Sequence, residues 1–525
     1  MFGRNSIGGA VNLISKKPTG QFGIKQALSF GRFNELKSVT RINLPERSGV
    51  KAKLDYLHSE RDGWVDNTAP GEADYNEYKK DGGKLSINWQ VNDQLALDYS
   101  YDHSVVDTVQ RYGQFYEDNF DVFGEERRRL SKTRLPVTPL DPTSSEQKGH
   151  GVVATWRHSD ITIKSITAYR SLNMDSNTNY AGVLYFNGLN DASILDQNQF
   201  SQELQIIGGS DRFEWVGGVY YLDEDVDKTL NDSFTLDIFG NFGPPLSPID
   251  PPTTFDALGS QTFLPPRIVN AEARSRAVYG QFSWVPEILE SKLELTLGGR
   301  YTEDKKTATR FEHSLSESNQ NSDHLGSSIA LQYHWFDDLS TYLKWGTAYK
   351  AGGVTSRSTS FTPYDEEVVK TWEVGLKSEF WDHRARFNIA LFATDYEDLQ
   401  LDFADPMNPV IVETINAANK AEVDGLEIDL AMSPLAGLVI SMSYSYLDSD
   451  MPLQPNPLDN GVLKKFFVPL APKHAGAMTL DYSFIPKDYG QLKLHLDITS
   501  TDHYSFVPFG EQRTDAYSLF NARVE

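Results

Sequence analysis

The chain has no cysteine, no long apolar run and too few cations to balance its acidic residues. Across 525 residues, 49 Lys and Arg face 73 Asp and Glu, a net charge of −24 with pI about 4.9. Without cysteine there are no disulfide staples and no thiolate chemistry, in keeping with a compartment where free thiols are a liability. The acidic balance argues against a nucleic-acid partner. No stretch approaches the ~18 consecutive apolar residues of a membrane helix. That absence leaves the membrane open, because a barrel crosses with strands whose alternate residues are polar. A secretory signal is missing too: Met1 is followed by FGRNSIGGAV, with neither a basic segment nor a long apolar core. No HExxH, GxSxG or P-loop stands in strand–helix context, and the 11 His show no ligand spacing. The expectation is a protein that is not an enzyme and holds no cofactor or metal centre.

What is plentiful is Gly, Tyr, Phe and Trp, arranged in one repeated unit. In Trp284 to Lys305, WVPEILESKLELTLGGRYTEDK, Leu293, Leu295, Leu297 and Tyr301 fall on one face of an extended strand. Glu294, Thr296 and Arg300 fall on the other, the period of two that marks a strand with one apolar and one polar face. After residues 1–20, which do not fit the unit, twenty strands are read. They are 21–33, 35–45, 50–60, 82–90, 93–105, 149–158, 161–172, 198–207, 212–226, 274–285, 292–303, 323–335, 339–350, 367–380, 385–400, 411–432, 438–448, 472–484, 491–502 and 514–525. Strand 411–432 is long enough to predict a bulge near Ala417–Glu422.

The connections alternate in length. Short ones such as PERSG, SPLAG and WDHR alternate with mostly long ones such as 106–148, 173–197 and 227–273. An up-and-down barrel in an outer membrane has short periplasmic turns and long outer loops. The aromatic residues follow the same alternation. Strands entering short turns end in Trp89, Trp156, Trp284, Trp335, Phe380 and Phe484. Strands rising to outer loops carry Tyr101, Tyr169, Tyr221, Tyr301, Tyr349, Tyr396 and Tyr446 near their tops. Two aromatic girdles at the membrane interfaces are the expectation. Leu293, Leu295, Ile440, Leu492 and Leu494 should face lipid. Glu294, Ser441, Lys493 and His495 should face the lumen, with Asp98, Glu203, Arg300, Glu373 and Lys377. The last two are read as a pair.

At this point the sequence resembles the TonB-dependent outer-membrane receptors, siderophore receptors among them. The opening FGRNSIGGAVNLISKKPTG is similar to the end of their plug domain. FSQELQI (200–206), FEWVGGVYYLDED (213–225), AVYGQFSW (277–284), LELTLGGRYTEDKK (293–306), YLKWGTAYKAGGV (342–354), EEVVKTWEVGLKSEF (366–380), NAANKAEVDGLEIDL (416–430), APKHAGAMTLDY (471–482) and DAYSLFNARV (515–524) follow in the family's order. The resemblance implies an all-β transmembrane barrel of 22 strands with a plugged lumen, about 20 of them present here. It implies a multi-pass protein of the outer membrane, in contact with its lipids, that imports a ferric siderophore or similar large nutrient. Energy would come from a TonB-type inner-membrane complex. Residues 1–20 are then the end of the plug and a linker, with Ile7, Val11, Leu13 and Ile14 as apolar anchors, and residues 21–525 are the barrel wall. On this reading the chain is expected to be a fragment, lacking the TonB box, most of the plug and the last two strands.

Ligand contacts are expected in the outer loops, where aromatic rings mixed with Arg suit a large anionic or catecholate ligand. The candidates are Arg111, Tyr112, Phe115, Tyr116, Tyr180, Tyr185 and Arg357. The acidic stretch LDEDVD (222–227) has the oxygen donors that Ca²⁺ takes, though no Gly-spaced loop motif accompanies it. Three alternatives remain: a passive porin, a surface-binding, adhesin-like barrel through which nothing passes, and a soluble secreted β-protein, which the girdles disfavour.

Overall fold

The computed structural model describes residues 4–113, 130–133, 137, 140–179, 189–231, 233–235, 261–263, 266–405, 411–486, 490–508 and 513–525. One antiparallel sheet dominates. It counts 22 strands, two of which are the three-residue strands Ser233–Thr235 and Gln261–Phe263 added to the top of a longer one. The other 20 (22 − 2) form the wall.

In chain order they are β1 (Gly23–Phe30), β2 (Leu36–Asn43), β3 (Val50–Arg61), β4 (Tyr78–Gln90), β5 (Leu95–Thr108), β6 (Thr143–His158) and β7 (Ile161–Asn179). Next come β8 (Leu189–Ser210), β9 (Phe213–Leu230), β10 (Arg267–Trp284), β11 (Leu293–Phe311), β12 (Leu315–Phe336) and β13 (Leu339–Lys350). The wall ends with β14 (Glu367–Phe380), β15 (Ala385–Glu397), β16 (Ala421–Met432), β17 (Leu438–Asp450), β18 (His474–Ser483), β19 (Lys493–Thr501) and β20 (Tyr517–Val524). Each pairs with its sequence neighbours as a plain meander. Among the described residues no ladder joins β1 to β20, and no helix is long and apolar enough to cross a membrane.

The two faces of the wall differ in chemistry. Leu295 pairs with Trp284 and Leu331, and these two side chains stay 46 % and 41 % exposed on the outer face. Glu294 and Gln332 pair on the opposite face, which is the one the N-terminal segment touches. Short turns close one end. Gly437 shows why composition matters there: its φ is +84°, and a Cβ would lie 2.2 Å from the Ser483 carbonyl oxygen. Only glycine takes that conformation at that distance without strain.

Several expected boundaries move. β7 and β8 run on to Asn179 and back from Leu189, and β11 and β12 reach Phe311 and Leu315. Stretches read as loops are therefore ladder. The bulge expected in 411–432 is instead a break. Val412–Asn416 pairs with Gln400–Ala404 in a separate hairpin, and only Ala421–Met432 belongs to the wall. Apolar cores are small and lie in the outer segments. One holds Val65, Tyr75, Val109, Val137 and Leu140; the other holds Leu401, Phe403 and Ala417.

Candidate functional site

The N-terminal segment lies against the lumen face without forming a strand, and polar side chains hold it. Arg4 reaches from one end of the segment to two wall strands. Its Nη2 is 3.1 Å from Glu224 Oε2 on β9, and its Nη1 is 3.7 Å from Asp304 Oδ1 on β11. Asn5 N donates to the Tyr349 carbonyl at 3.0 Å, and Asn5 Oδ1 accepts from Ala351 N at 3.0 Å. At the other end Lys84 Nζ donates to Ser15 Oγ, buried Lys53 donates to the Lys16 carbonyl, and Lys17 pairs with Asp98 at 2.8 Å. Of the expected apolar anchors Ile7 is half-buried, while Val11, Leu13 and Ile14 are not anchors, at 91 %, 88 % and 87 % exposed. A short segment beside a polar wall finds hydrogen-bond partners there and no apolar surface to bury.

The lumen wall around Arg4 is closely bonded. Asp304 also accepts from the Tyr349 hydroxyl at 2.7 Å, and Glu224 from Gln197. Glu203 accepts from Tyr279, and Arg300, 8 % exposed, lies over the Tyr220 and Tyr279 rings. Glu373 and Lys377 do not pair with each other. Tyr342 stands between them, donating to Glu373 at 2.7 Å while Lys377 sits 5.3 Å from its ring. In the acidic stretch read as a possible calcium loop, Asp223 pairs with Arg274, Glu224 with Arg4, and Asp227 accepts from Asn270.

The outer candidates are distributed over two groups. Tyr112 packs edge-on against Tyr75 at 4.9 Å, within the cluster of Val65 and Val109, and Arg111 beside it is exposed. Arg357 is exposed on segment 351–366, where its carbonyl accepts from Val412 N. Phe115, Tyr116, Tyr180 and Tyr185 lie outside the described residues. A recess of about 660 Å³ that composition alone does not reveal is lined by Arg32, Phe33, Arg61, Trp64, Leu130 and Ser131. The Arg61 guanidinium lies between the Trp64 and Tyr78 rings at 4.5 and 4.7 Å.

Segment 351–366 and the hairpin 400–416 are bonded to each other. Thr359 N and Oγ1 donate to Glu413 Oε1 at 2.8 and 3.0 Å. Burial pushes the Glu413 carboxyl up, but hydrogen bonds from Ser358, Thr359 and Ser360 outweigh it and hold the group below its ordinary value. Among the described residues one group gathers three metal-type donors, Asp338, Glu379 and His383, all exposed at the short-turn end. The hydrogen bond with Glu379, then the charge of Asp338, raises the His383 imidazole above its ordinary value.

Of the short-turn aromatics, Trp89, Trp156, Trp284, Trp335, Phe380 and Phe484 are all exposed. Tyr169 and Tyr301 are exposed on the outer face, and Tyr101 and Tyr446 are half-buried there. Tyr349 is different: it is 4 % exposed and bonded to Asp304, so it is no girdle residue. Tyr396 shares the lumen face of buried Thr394.

Residues 88–525 match the family described as TonB dependent receptor-like, beta-barrel. The chain belongs to this family. It is a transmembrane β-barrel of the outer membrane. Among curated relatives of this receptor is one described as a probable TonB-dependent siderophore receptor, PiuA of Acinetobacter baumannii. It is 22 % identical over 93 % of this chain and 69 % of its own length. The ferrioxamine B receptor of Salmonella typhimurium is 22 % identical over 85 % of this chain, which spans 61 % of that relative. Among solved structures, the ferric yersiniabactin uptake receptor FyuA from Yersinia pestis aligns with 98 % of this chain and 74 % of its own. Its TM-score is 0.76 at 17 % identity, a likeness of fold.

Proposed function

We propose that this receptor barrel serves active uptake of a scarce nutrient, a ferric siderophore, drawn inward by a TonB-type energising complex. The observation that carries the reading is the bonded N-terminal segment in the lumen, held at Arg4, Asn5, Ser15, Lys16 and Lys17. A passive porin needs an open lumen. A segment tied to the wall on both sides is what a plugged channel requires, and a plugged channel passes cargo only when work is done on it. The relatives named above include two siderophore receptors, which supports an iron chelate as the cargo.

On this reading residues 1–20 are the end of the plug and a linker, and residues 21–525 the barrel. Arg111, Tyr112, Phe115, Tyr116, Tyr180, Tyr185 and Arg357 contact the ligand at the outer mouth, where stacking and charge select a large anionic chelate. The exposed short-turn aromatics at one end, and the outward-facing Tyr101, Tyr169, Tyr301 and Tyr446 at the other, lie at the two membrane interfaces. The experiment measures radio-iron accumulation from a ferric siderophore in cells expressing the gene, with and without the energising complex. Accumulation that depends on the complex is the expected result. Equal accumulation in both would give a porin, and binding without accumulation an adhesin.

A further inference from the structure

The ladder between β12 and β13 stops early. It is continuous from Phe336 and Leu339 up to the pair Ser328 and Gly346, with one irregularity at His334–Phe336. Above that point β12 stays paired with β11 as far as Leu315, while β13 keeps only β14. The top of β13, Thr347–Lys350, therefore leaves the β12 ladder, and Ser327 N donates to the Thr347 hydroxyl at 3.0 Å instead. This is what lets Tyr349 reach lumen-face groups instead of lipid.

Tyr349 joins two things. Its hydroxyl donates to Asp304, the carboxylate facing Arg4, and its carbonyl accepts from Asn5 N. Its ring stacks on the His324 imidazole, 4.3 Å between centroids at 18°. His324 Nδ1 lies 3.2 Å from Glu366 Oε1, at the end of outer segment 351–366. The other end of that segment, Ala351, donates to Asn5. The segment is also bonded to the wall. Lys306 donates to the Gly352 carbonyl, Gln320 to Tyr364 and Arg310 to Ser356. Gly352 lies so close to Tyr364 that a Cβ would stand 2.4 Å from its carbonyl oxygen. Segment 351–366 is thus bonded within itself and to the wall, and both of its ends meet the groups that hold Arg4 and Asn5.

In this path Arg4 Nη1 and Asp304 Oδ1 face each other at 3.7 Å, beyond hydrogen-bond reach, and His324 Nε2 and Glu366 Oε2 have no hydrogen-bond partner among the described residues. A charge pair held at that separation lacks the short hydrogen bond that makes a direct ion pair strong, so it is the weaker of the two links Arg4 makes.

We propose that Tyr349 and His324 are positioning residues that couple the place of outer segment 351–366 to the docking of the N-terminal segment, so that moving the outer segment frees Arg4 from Asp304. The coupling rests on the reading of residues 1–20 as a lumen-filling segment, and not on the identity of the cargo.

The test uses the absence of native cysteine. Spin labels at Ile7→Cys and Asp160→Cys, in the purified chain in lipid nanodiscs, report the distance from the N-terminal segment to a short turn. Arg4→Gln should give a broad, undocked distribution. Tyr349→Phe and His324→Leu, neither of which alters Arg4, should move a large share of molecules to that same distribution. Tyr342→Phe, on the lumen face but off the path, should not. Coupling is reciprocal, so Arg4→Gln should raise the labelling rate of a Thr362→Cys probe at least about fivefold. Heat-modifiable gel migration checks that each variant is folded. If Tyr349→Phe and His324→Leu leave the distance unchanged, or Arg4→Gln leaves either readout unchanged, the coupling is refuted. No nutrient or energy source enters, so this failure and a failure of the uptake experiment are separate results.

Discussion

Ile329 sits on the membrane face of β12, paired with Leu297 and Trp345, and is 42 % exposed. Its neighbours on the lumen face of the same strand are Ser328 and Ala330. On this strand the apolar band runs from Trp335 up to Leu325, ten steps along the chain (335 − 325). At ~3.4 Å per residue that is about 34 Å of strand, or about 26 Å along the barrel axis at a tilt of ~40°. Ile329 lies near the middle of that band. Ile329→Arg places a guanidinium at the depth where a lipid-facing cation costs roughly 2–4 kcal/mol. That is a roughly 30- to 700-fold loss in the folding equilibrium. Ala330→Arg, one residue away, turns the same group into the lumen, where the cost should stay within about 1 kcal/mol. Urea unfolding in lipid vesicles, followed by Trp fluorescence, measures both. Equal costs for the two variants would refute the assignment of faces and with it the argument that this strand spans the membrane.

Tyr75 is fully buried in the outer cluster, and its hydroxyl has no hydrogen-bond partner among the described residues. Tyr75→Phe removes an unmet polar group and should stabilise that cluster by about 1 kcal/mol, whereas Tyr75→Ala should cost about 3–5 kcal/mol. Local hydrogen exchange at Val65 and Val109 reads both. Glu413 supplies a pH dependence. Its folded value is depressed, so its contribution is full above the ordinary carboxylate value and lost as pH falls through the folded value. Protease cleavage within 351–366 should rise as pH drops below about 4, and Glu413→Gln should flatten that response.

Within the membrane the alternation was readable because one face meets lipid and the other water. Leu293, Leu295 and Ile329 against Glu294, Thr296 and Ser328 carry that contrast, and twenty strands were found from it. Beyond the membrane both faces meet water, so the contrast vanishes while the ladder continues. That is why 304–322 reads as a loop and is the paired ends of β11 and β12. Tyr349 was misread for another reason. Periodicity assumes an unbroken ladder, and this one ends at Gly346. The Arg4 contact was out of reach, because Glu224 is 220 positions away and only the topology brings it near. The one local signal was an acidic run, LDEDVD, that suits a metal as well as an arginine.

The hairpin of β11 and β12 rises unbroken from the Tyr301–Leu325 pair to Phe311 and Leu315. Its consequence is entropic. Fixing a backbone residue costs roughly 1–2 kcal/mol, and along this projection the ladder has met that cost before anything arrives. A molecule landing on the exposed Phe311 and Leu315 tip meets a surface that has little freedom left to lose, so contact there proceeds without the ordering penalty a slack loop would impose.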